Sequence, residues 1–404
     1  MSQNRAVVIG AGASGMAAAI RAGECGYHVT LLEKGQKPGR KLLATGNGRC
    51  NLCNTGAPVY FGEADFALKV LQQCGASRVL NTFDRWGLQT IQEEEGRVYP
   101  ACGQAQAVLD VLLCRLNEIH ASIETDSEVI RIRKEQGLFR VMTADYREFV
   151  AERCILATGG MAGGRLGCEY SAYQLAASLG HRMTDLSPAL VPIMTDKGSV
   201  RSLAGLRVPA IVTLMDGKQP VSAAQGEVLF ADYGLSGICV MQLASECDAL
   251  LDMGRSPRLK VDFSPLLNVC PRKYGRLDVS QMPDWRAAVD ALLRRRAMLV
   301  PEERVLVGLL PAALARRFAD VPLKNLADRL CGYIIPVQGI RSMEYAQVTH
   351  GGVFAQDVDP QTMQSKCCEG LYLTGEMLNV DGDCGGFNLL FAFATGLLAG
   401  ENLN

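Results

Sequence analysis

A glycine-rich stretch near the start of the chain carries the clearest chemical signal. Gly10, Gly12 and Gly15 form a Gly-x-Gly-x-x-Gly pattern between an apolar β-branched run and an alanine-rich segment. In that context the glycines allow a tight turn and close backbone approach, and the N–H groups that start the helix attract a pyrophosphate. Glu33 ends the next apolar run, where a carboxylate would accept ribose hydroxyls and disfavour a 2′-phosphate. The stretch therefore predicts a dinucleotide site.

Two later segments favour FAD over NAD as the dinucleotide. CILATGG, residues 154–160, is a strand pattern that runs into glycines and could lie beside a pyrophosphate. LYLTGE, residues 371–376, delivers the carboxylate of Glu376, and Gly385 and Gly386 then start an apolar helix. The positive end of that helix would face the pyrimidine edge of a flavin, where negative charge collects upon reduction.

Cys50 and Cys53 form a Cys-x-x-Cys within the basic loop RKLLATGNGRCNLCN, residues 40–54. A redox dithiol, half of a zinc site and a cofactor-lining loop are the alternatives. The spacing differs from that of disulfide reductases, no second glycine fingerprint marks a nicotinamide domain, and no partner pair has zinc-ligand spacing. We predict a loop that lines the cofactor and no metal site. Cys50 as a proton donor to substrate stays open.

The elements that must position these residues begin with a βαβ unit. A strand, the glycine turn, an alanine-rich helix and a second strand follow one another over about residues 5–33. Helical spacing recurs over about 64–87 and 105–121, and short strand-like runs between about 122 and 157 indicate an antiparallel meander. GGFNLLFAFATGLLAGENL predicts a final apolar helix.

From about residue 188 the pattern changes to short β-type segments separated by turn residues, which predicts an antiparallel sheet or barrel. Helical spacing returns over about 283–332, including PEERVLVGLL. We therefore predict a cofactor domain in two segments, 1–190 and 337–404, and an inserted β-rich substrate domain, 191–336, with a helical part.

Composition narrows the function classes. The 41 Lys+Arg and 42 Asp+Glu residues nearly cancel, so no bulk field attracts nucleic acid or an anionic membrane. No apolar run approaches the roughly 18 residues of a membrane span. The 15 cysteines, an odd number without a secretion signal, are typical of free thiols in a reducing compartment. We expect a cytoplasmic protein.

With these segments in order, the chain resembles the BaiN-like, or aminoacetone-oxidase-like, family of FAD-dependent oxidoreductases. The resemblance covers essentially the whole chain and rests on VVIGAGASGMAAAI, GRKLLATGNGRCNLCNT, GRVYPA, ILATGG, PALVPI, YGLSG, QGIRSMEYAQVTHGGV and LTGEMLNVDGDCGGFNLLFAFATG. It implies an α/β fold: a glutathione-reductase-type Rossmann FAD-binding domain with an inserted antiparallel β-barrel-like domain that carries a helical subdomain.

Patterns and resemblance together give a set of candidate FAD contacts, of which Val129 would act through its backbone. The set is Gly10, Gly12, Ala13, Ser14, Gly15, Glu33, Lys34, Arg40, Lys41, Gly46, Asn47, Val129, Ala157, Thr158, Gly159, Gly375, Glu376, Asp381, Gly385, Gly386, Asn388 and Leu389. The catalytic residue stays open. His350 could donate a proton or simply be a loop histidine, and the same holds for Tyr170 and Tyr173. Arg165 could hold an anionic substrate or be solvated.

The expected activity is NAD(P)H-driven reduction of an activated C=C bond in a small organic substrate, with NADH or NADPH as a transient electron donor. The alternatives are reduction of uridine in ribosomal RNA, amine oxidation and a non-enzymatic flavin-bound redox sensor. Arg294, Arg295 and Arg296 could contact RNA phosphate or form a solvated face. Asp232 and residues 161–173 depart from the family pattern, which leaves the substrate open. The NADH or NADPH preference and the oligomeric state are open too.

Overall fold

The structure is a computed structural model and describes residues 4–272 and 274–403. The chain forms two compact units, one from the residues up to Ser187 together with those from Val348, and one from Pro188–Gln347. The predicted boundaries were 190/191 and 336/337. The second differs because a strand at Tyr333–Ile340 crosses position 336 and pairs inside the barrel of the second unit.

The helices and strands fall into three segments of the chain. The first segment contains β1 (Arg5–Ile9), α1 (Ala13–Glu24), β2 (His28–Leu32), α2 (Arg40–Ala44), β3 (Cys53–Asn54), β4 (Tyr60–Gly62), α3 (Ala64–Gln73), α4 (Ala76–Arg85), β5 (Thr90–Gln92), β6 (Arg97–Pro100), α5 (Ala105–Glu118), β7 (Ser122–Glu124), β8 (Val129–Glu135), β9 (Leu138–Thr143), β10 (Glu148–Ala151), β11 (Arg153–Leu156) and α6 (Tyr170–Ser178). The middle segment contains β12 (Ser187–Ala189), β13 (Ile193–Thr195), α7 (Lys197–Val200), β14 (Arg207–Asp216), β15 (Gln219–Ala231), β16 (Gly234–Ser236), α8 (Ile238–Met241), α9 (Ala244–Asp252), β17 (Arg258–Asp262), β18 (Gly275–Leu277), α10 (Arg286–Ala297), α11 (Ala312–Arg317), α12 (Leu323–Leu330) and β19 (Tyr333–Ile340). The return segment contains β20 (Val348–His350), β21 (Leu371–Leu373), β22 (Val380–Gly382) and α13 (Phe387–Glu401).

A parallel sheet forms the centre of the first unit, with strand order β21-β11-β1-β2-β7. Its inner strands are short apolar runs, such as Ala6 to Ile9 in β1, because a parallel sheet is covered on both faces. The carboxyl ends of parallel strands share one edge. The glycine turn, Glu33, the ATGG turn and the TGE segment therefore meet there, as the Rossmann prediction requires.

Helices α1 and α13 pack unusually closely in the first unit. A Cβ on Gly396 would lie 2.3 Å from the carbonyl oxygen of Ser14, and one on Gly400 would lie 2.3 Å from that of Ala18. The two contacts advance together along both helices, so α1 and α13 run in the same direction. In the part of the chain that the structure describes, no helix combines the length and the apolar character needed to cross a bilayer.

The second unit contains a closed antiparallel barrel. Strands β14, β17, β19, β13, β16 and β15 follow one another, and β15 pairs back onto β14 over ten residue pairs from Arg207↔Leu229 to Asp216↔Gln219. This confirms the predicted barrel-like fold. Helices α10, α11 and α12 lie within the predicted helical part, but PEERVLVGLL is not an α-helix. It forms a short 3-10 turn at Glu302–Arg304, and Gly308, with φ 73°, is left-handed.

Candidate cofactor and active site

The turn between β1 and α1 leaves open space where an anion would approach. A Cβ on Gly10, whose φ is 104°, would lie 2.4 Å from the carbonyl oxygen of Ala157. A Cβ on Gly15 would lie 1.9 Å from the carbonyl oxygen of Gly10, so packing alone requires both glycines. At Gly12, no described atom beyond its chain neighbours lies within 4 Å of a Cβ position, and none of the described side chains caps α1. The helix start thus offers backbone N–H donors to a phosphate.

Glu33 closes this turn at the end of β2. Its Oε2 accepts a hydrogen bond from the Ala11 N–H at 3.0 Å, and its Oε1 accepts one from the Gly35 N–H at 2.8 Å. The side chain is partly exposed, and each carboxylate oxygen can accept a second hydrogen bond. Glu33 is therefore fixed where ribose hydroxyls could donate to it. Its neighbour Lys34 donates instead to the carbonyl oxygen of Gly167 at 2.9 Å.

Lys41 and Glu376 form an ion pair at the same edge, although 335 positions separate them. The Nζ atom of Lys41 lies 2.7 Å from Oε2 of Glu376, whose Oε1 accepts the Thr349 N–H at 3.0 Å. A Cβ on Gly160 would lie 2.5 Å from that Oε1, so the ATGG turn needs a glycine to admit the carboxylate. Lys41 compensates the charge of Glu376 and so lowers the electrostatic cost of an anionic cofactor nearby.

The start of α13 packs against the basic loop, residues 40–54. Gly386 has φ 104°, and a Cβ there would lie 2.5 Å from the carbonyl oxygen of Cys53. The Asn388 side chain accepts the Gly382 N–H at 2.7 Å and donates to the Gly382 carbonyl at 2.6 Å, which fixes the intervening turn. Neither a side-chain cap nor an acidic residue occupies the first turn among the described residues.

The two uncapped helix starts are staggered along a common direction. Because Gly396 packs on Ser14, the second residue of α1, the helix start at Phe387 lies about eight residues, or about 12 Å, beyond the start of α1. Ser14 itself is buried, and Ala13 begins the helix. Two positive ends at this separation fit a cofactor whose pyrophosphate and redox ring are joined by a ribityl chain. The residues present therefore fit FAD.

The other predicted contacts differ in their placement. Gly46 and Asn47 are left-handed and exposed in a turn of the basic loop, and Arg40 is exposed nearby. Val129 starts β8 and lines a cavity of about 470 Å³ between β8 and α6. The remaining contacts lie on the two glycine turns and at the start of α13, namely Ala157, Thr158, Gly159, Gly375, Gly385 and Leu389.

Comparison with known proteins shows to which family the chain belongs. Residues 4–402 match the HI0933-like protein Rossmann domain. The chain belongs to this family. It is 36% identical over 418 residues, 98% of each chain, to the 3-dehydro-bile acid delta(4,6)-reductase of Clostridium scindens. It is 26% identical to the ribosomal RNA dihydrouridine synthase of Escherichia coli, over 100% of this chain and 98% of that one.

A solved structure shows the same fold. The 3-ketosteroid delta1-dehydrogenase from Sterolibacterium denitrificans, in complex with 1,4-androstadiene-3,17-dione, aligns over 99% of both chains with a TM-score of 0.54 and 14% identity. The family match and the geometry confirm the predicted resemblance. This HI0933-like protein is an FAD-dependent oxidoreductase.

In this HI0933-like chain, His350 forms a dyad with a predicted cofactor contact. Its Nδ1 lies 2.7 Å from Oδ1 of Asp381, and the side chains are 36% and 3% exposed, respectively. Gly351, with φ 87°, fixes the next backbone step, because a Cβ there would lie 2.0 Å from the carbonyl oxygen of Asp185. Sequence reasoning missed the neighbour Thr349, whose Oγ1 accepts the Ala162 N–H at 3.0 Å. Its position beside His350 in the THGG segment was the available signal.

Cys50 and Cys53 are free thiols with no exposed surface. Burial raises the pKa of each thiol to about 12. Both are therefore protonated near neutral pH, which makes them poor nucleophiles and poor metal ligands. That the loop lines the cofactor stays a prediction.

The loop that departs from the family pattern places its candidates differently. Tyr170 and Arg165 are exposed, whereas Tyr173 is buried, and its burial raises the pKa of the phenol. Of the three adjoining arginines on α10, Arg294 pairs with Asp290 at 2.6 Å. Arg296 donates to the carbonyl oxygens of Val305 and Val307, each at 2.9 Å.

One group within the described ranges has residue types and distances that could hold a metal ion. His181, Asp357 and Cys367 place one ligand atom each within 4.8 Å of one another. The Asp357 carboxylate, however, already binds the Arg182 guanidinium, with its Oδ1 at 2.6 Å. The Arg182 guanidinium therefore already compensates the charge of Asp357, the carboxylate of this group.

Proposed function

We propose that the protein reduces an activated C=C bond of a small organic substrate, with NADH or NADPH as the electron donor. The observation that carries the proposal is the 36% identity, over 98% of both chains, to a relative named as a reductase of 3-dehydro-bile acids. That name indicates a 3-oxo steroid with a conjugated C=C bond as the first substrate class to test. FAD, when bound, supplies the hydride.

Reduction of a conjugated C=C bond adds a hydride to one carbon and a proton to the other, so the protein must supply a proton donor. His350 is the candidate because the buried carboxylate of Asp381 holds its Nδ1 at 2.7 Å. The carboxylate orients the ring and stabilises positive charge on it, and Nε2 is the atom that would pass a proton to substrate. Asp381 acts in this scheme as a positioning residue.

Lys41 and Glu376 complete the polar surroundings of the cofactor site. Their ion pair fixes a carboxylate beside the ATGG turn and keeps its charge compensated. The uncapped start of α13 would stabilise negative charge on a reduced flavin ring. These residues hold and tune the cofactor, whereas His350 serves the substrate.

The first experiment separates the two half-reactions. We expect NADH or NADPH to bleach the purified yellow protein anaerobically, and a 3-oxo-4-ene steroid to restore the flavin colour. His350→Gln should leave bleaching intact and slow the recovery by about a hundredfold, because a general acid contributes about that much or more. His28→Gln is the matched control, since His28 is exposed at the amino end of β2, opposite the cofactor edge. Recovery at the wild-type rate in His350→Gln would reject His350 as the donor.

A pH profile then tests the role of Asp381. Asp381→Asn should change the pH dependence of the recovery rate and leave the bleaching rate nearly unchanged, because the amide no longer stabilises a charged ring. Loss of FAD from this variant, seen in its absorption spectrum, would indicate a cofactor-binding role instead. Failure of every enone to restore the colour would contradict the proposed reaction itself.

Ribosomal RNA reduction is the second candidate, and the 26% identity to the Escherichia coli synthase favours it. RNA binding requires several cationic contacts to phosphates, whereas Arg294 and Arg296 are already engaged. A uridine-containing ribosomal RNA fragment belongs in the same recovery assay. Restoration of the flavin colour by RNA and by none of the enones would select this second function.

A further inference from the structure

Arg341 in the second unit lies between two tyrosine rings. Its guanidinium carbon is 3.6 Å from the centroid of Tyr345 and 4.6 Å from the centroid of Tyr233. Within residues 4–272 and 274–403, the guanidinium makes no hydrogen bond or ion pair. Asp232 and Glu344, the acidic chain neighbours of the two tyrosines, do not pair with it. The cation is thus held in place and has no counter-ion among the described residues.

Two other arginines that stack on aromatic rings in this protein also bind a carboxylate, whereas Arg317, over the ring of Tyr333, donates to the Tyr333 hydroxyl at 3.1 Å. Arg49 stacks on Tyr99 and pairs with Glu93 at 2.5 Å. Arg182 stacks on Phe354 and pairs with Asp357 at 2.6 Å. Stacking therefore accompanies an ion pair at these two sites, and Arg341 departs from that arrangement.

The barrel fixes both rings and the arginine. Tyr233 directly precedes β16, and its carbonyl oxygen accepts the Thr195 N–H at 3.1 Å. Arg341 directly follows β19, and its own N–H donates to the Pro192 carbonyl at 3.0 Å. Strands β16 and β19 flank β13 on opposite sides, and a short 3-10 turn at Met343–Tyr345 returns the second ring to the arginine. The stack is therefore assembled from both sides of one strand.

One glycine on each neighbouring strand lies opposite β13, close to this stack in sequence. Met194 pairs with Gly234 on one side and with Gly339 on the other. A Cβ on Gly234 would lie 2.2 Å from the carbonyl oxygen of Ile193, and one on Gly339 would lie 2.9 Å from Cε of Met194. Close approach of β13 and β16 accordingly depends on Gly234, which meets backbone atoms, whereas the flexible end of Met194 could move away from a methyl group at position 339.

The two tyrosine rings beside the Arg341 guanidinium limit the directions from which a ligand can approach it. Rings at 3.6 Å and 4.6 Å from the guanidinium carbon compete with a stacked nucleobase, which favours a ligand that approaches in the guanidinium plane, where the N–H groups point. In-plane approach favours a planar oxyanion that accepts two hydrogen bonds, as a carboxylate does. Phosphate shares this chemistry, but a polyanionic backbone is normally held by several cations together.

We propose that Arg341, with Tyr233 and Tyr345, forms a binding site for the carboxylate of an organic acid. The identification of that acid as the substrate rests on the proposed function. The tyrosines position the guanidinium, and Arg341 contacts the ligand. The substrate class then narrows from enones in general to enones that carry a carboxylate.

The test compares a 3-oxo-4-ene steroid carboxylic acid with its methyl ester. Binding of each to the holoenzyme without electron donor is measured by calorimetry, and KM is measured with donor present. We expect the wild type to prefer the acid by about tenfold or more, as expected for a charge-assisted pair. Arg341→Met should abolish the preference, and Arg341→Lys should retain only part of it because the planar fork is lost.

Arg207→Met is the matched control, because Arg207 is an exposed arginine of β14 that pairs with Glu227 at 3.0 Å. It should keep the full acid preference. Tyr345→Phe should also keep it, whereas Tyr345→Leu should reduce it through loss of the ring. An equal melting temperature for Arg341→Met and wild type excludes a folding defect as the cause.

The outcomes separate this proposal from the proposed reaction. Acid preference that depends on Arg341, without turnover of any enone, would support the site and contradict the reaction. Turnover with an acid preference that Arg341→Met leaves intact, or with no preference in the wild type, would overturn the site. Salt-sensitive binding of inorganic phosphate or a ribosomal RNA fragment that Arg341→Met abolishes, with the acid preference unchanged, would also overturn it.

Discussion

The starts of α1 and α13 share a sequence pattern but differ in what surrounds the glycine. At α1, the cap residue Gly12 has φ −86°, which any residue can adopt, and open space lies over it. At α13, Gly386 has φ 104° and lies against the backbone of Cys53. The first glycine leaves room for a ligand, whereas the second lets two chain segments touch.

This difference shows that a glycine before a helix has two separable roles. Removing a packing glycine should damage the fold whether or not the cofactor is present. Removing a ligand-facing glycine should damage binding alone. Substitutions at three glycines and labelling of the thiols test this distinction, from the largest expected effect to the smallest.

Gly15→Ala should have the largest effect. Its Cβ would lie 1.9 Å from the Gly10 carbonyl oxygen, and a backbone atom cannot move away as the end of a flexible side chain can. We expect the free energy of unfolding of the apoprotein to fall by about 3 kcal/mol or more, measured in urea. Normal stability of this variant would show that the β1–α1 turn tolerates a methyl group and is loosely packed.

Gly386→Ala should have the next largest effect. The left-handed backbone disfavours alanine, and the methyl group would press on the Cys53 carbonyl at 2.5 Å. We expect a loss of about 1–3 kcal/mol in the apoprotein. If the apoprotein kept its stability and only FAD affinity fell, Gly386 would belong with the ligand-facing glycines and the comparison would fail.

Gly12→Ala should change binding and spare the fold. No steric contact opposes the methyl group, so the apoprotein should keep its stability to within about 0.5 kcal/mol. The methyl group would stand over the helix start, and we expect the FAD dissociation constant to rise about tenfold, equivalent to about 1.4 kcal/mol. Quenching of flavin fluorescence during titration of the apoprotein measures it, and an unchanged constant would contradict the ligand-facing role.

Thiol labelling tests the packed surroundings of the α13 start without any substitution. Because burial raises the pKa of Cys50 and Cys53 to about 12, their thiolate fraction at pH 8 is on the order of 10⁻⁴. Iodoacetamide should therefore modify exposed Cys102 and Cys367 of the native holoenzyme well before these two. Mass spectrometry of the proteolytic digest measures the order in which the cysteines are modified. Early labelling of Cys53 would mean that the start of α13 opens readily.

Much of the cofactor unit could be predicted because its signals are local. The glycine turn, the apolar run of β1 and the glycine-started α13 each lie within about twenty consecutive residues, and they follow from backbone and burial requirements. The barrel was predictable as a class from its short β-type segments. PEERVLVGLL shows the limit of such reasoning, because apolar spacing also suits buried turns, and Gly308 ends any helix there.

Pairings between distant residues were not predictable from one sequence. Lys41 and Glu376 meet because α2 and β21 reach the same sheet edge, and nothing in either local pattern names the other. The His350–Asp381 dyad has the same origin, although each residue was singled out separately. The second boundary of the inserted unit depends on the pairing of β19 within the barrel, which is a long-range property too.

The discontinuous first unit has a consequence for the order of events during synthesis. The barrel residues Pro188–Gln347 emerge from the ribosome complete, before β21 and α13 have been made. The nucleotide fold, by contrast, waits for its last strand and last helix, because β21 is an edge of its sheet and α13 packs on α1. Until translation ends, the first half of the chain has an unfilled sheet edge and an uncovered helix. A nascent chain stalled before Phe387 would therefore lack the helix that covers α1 and the helix start that belongs to the candidate cofactor site.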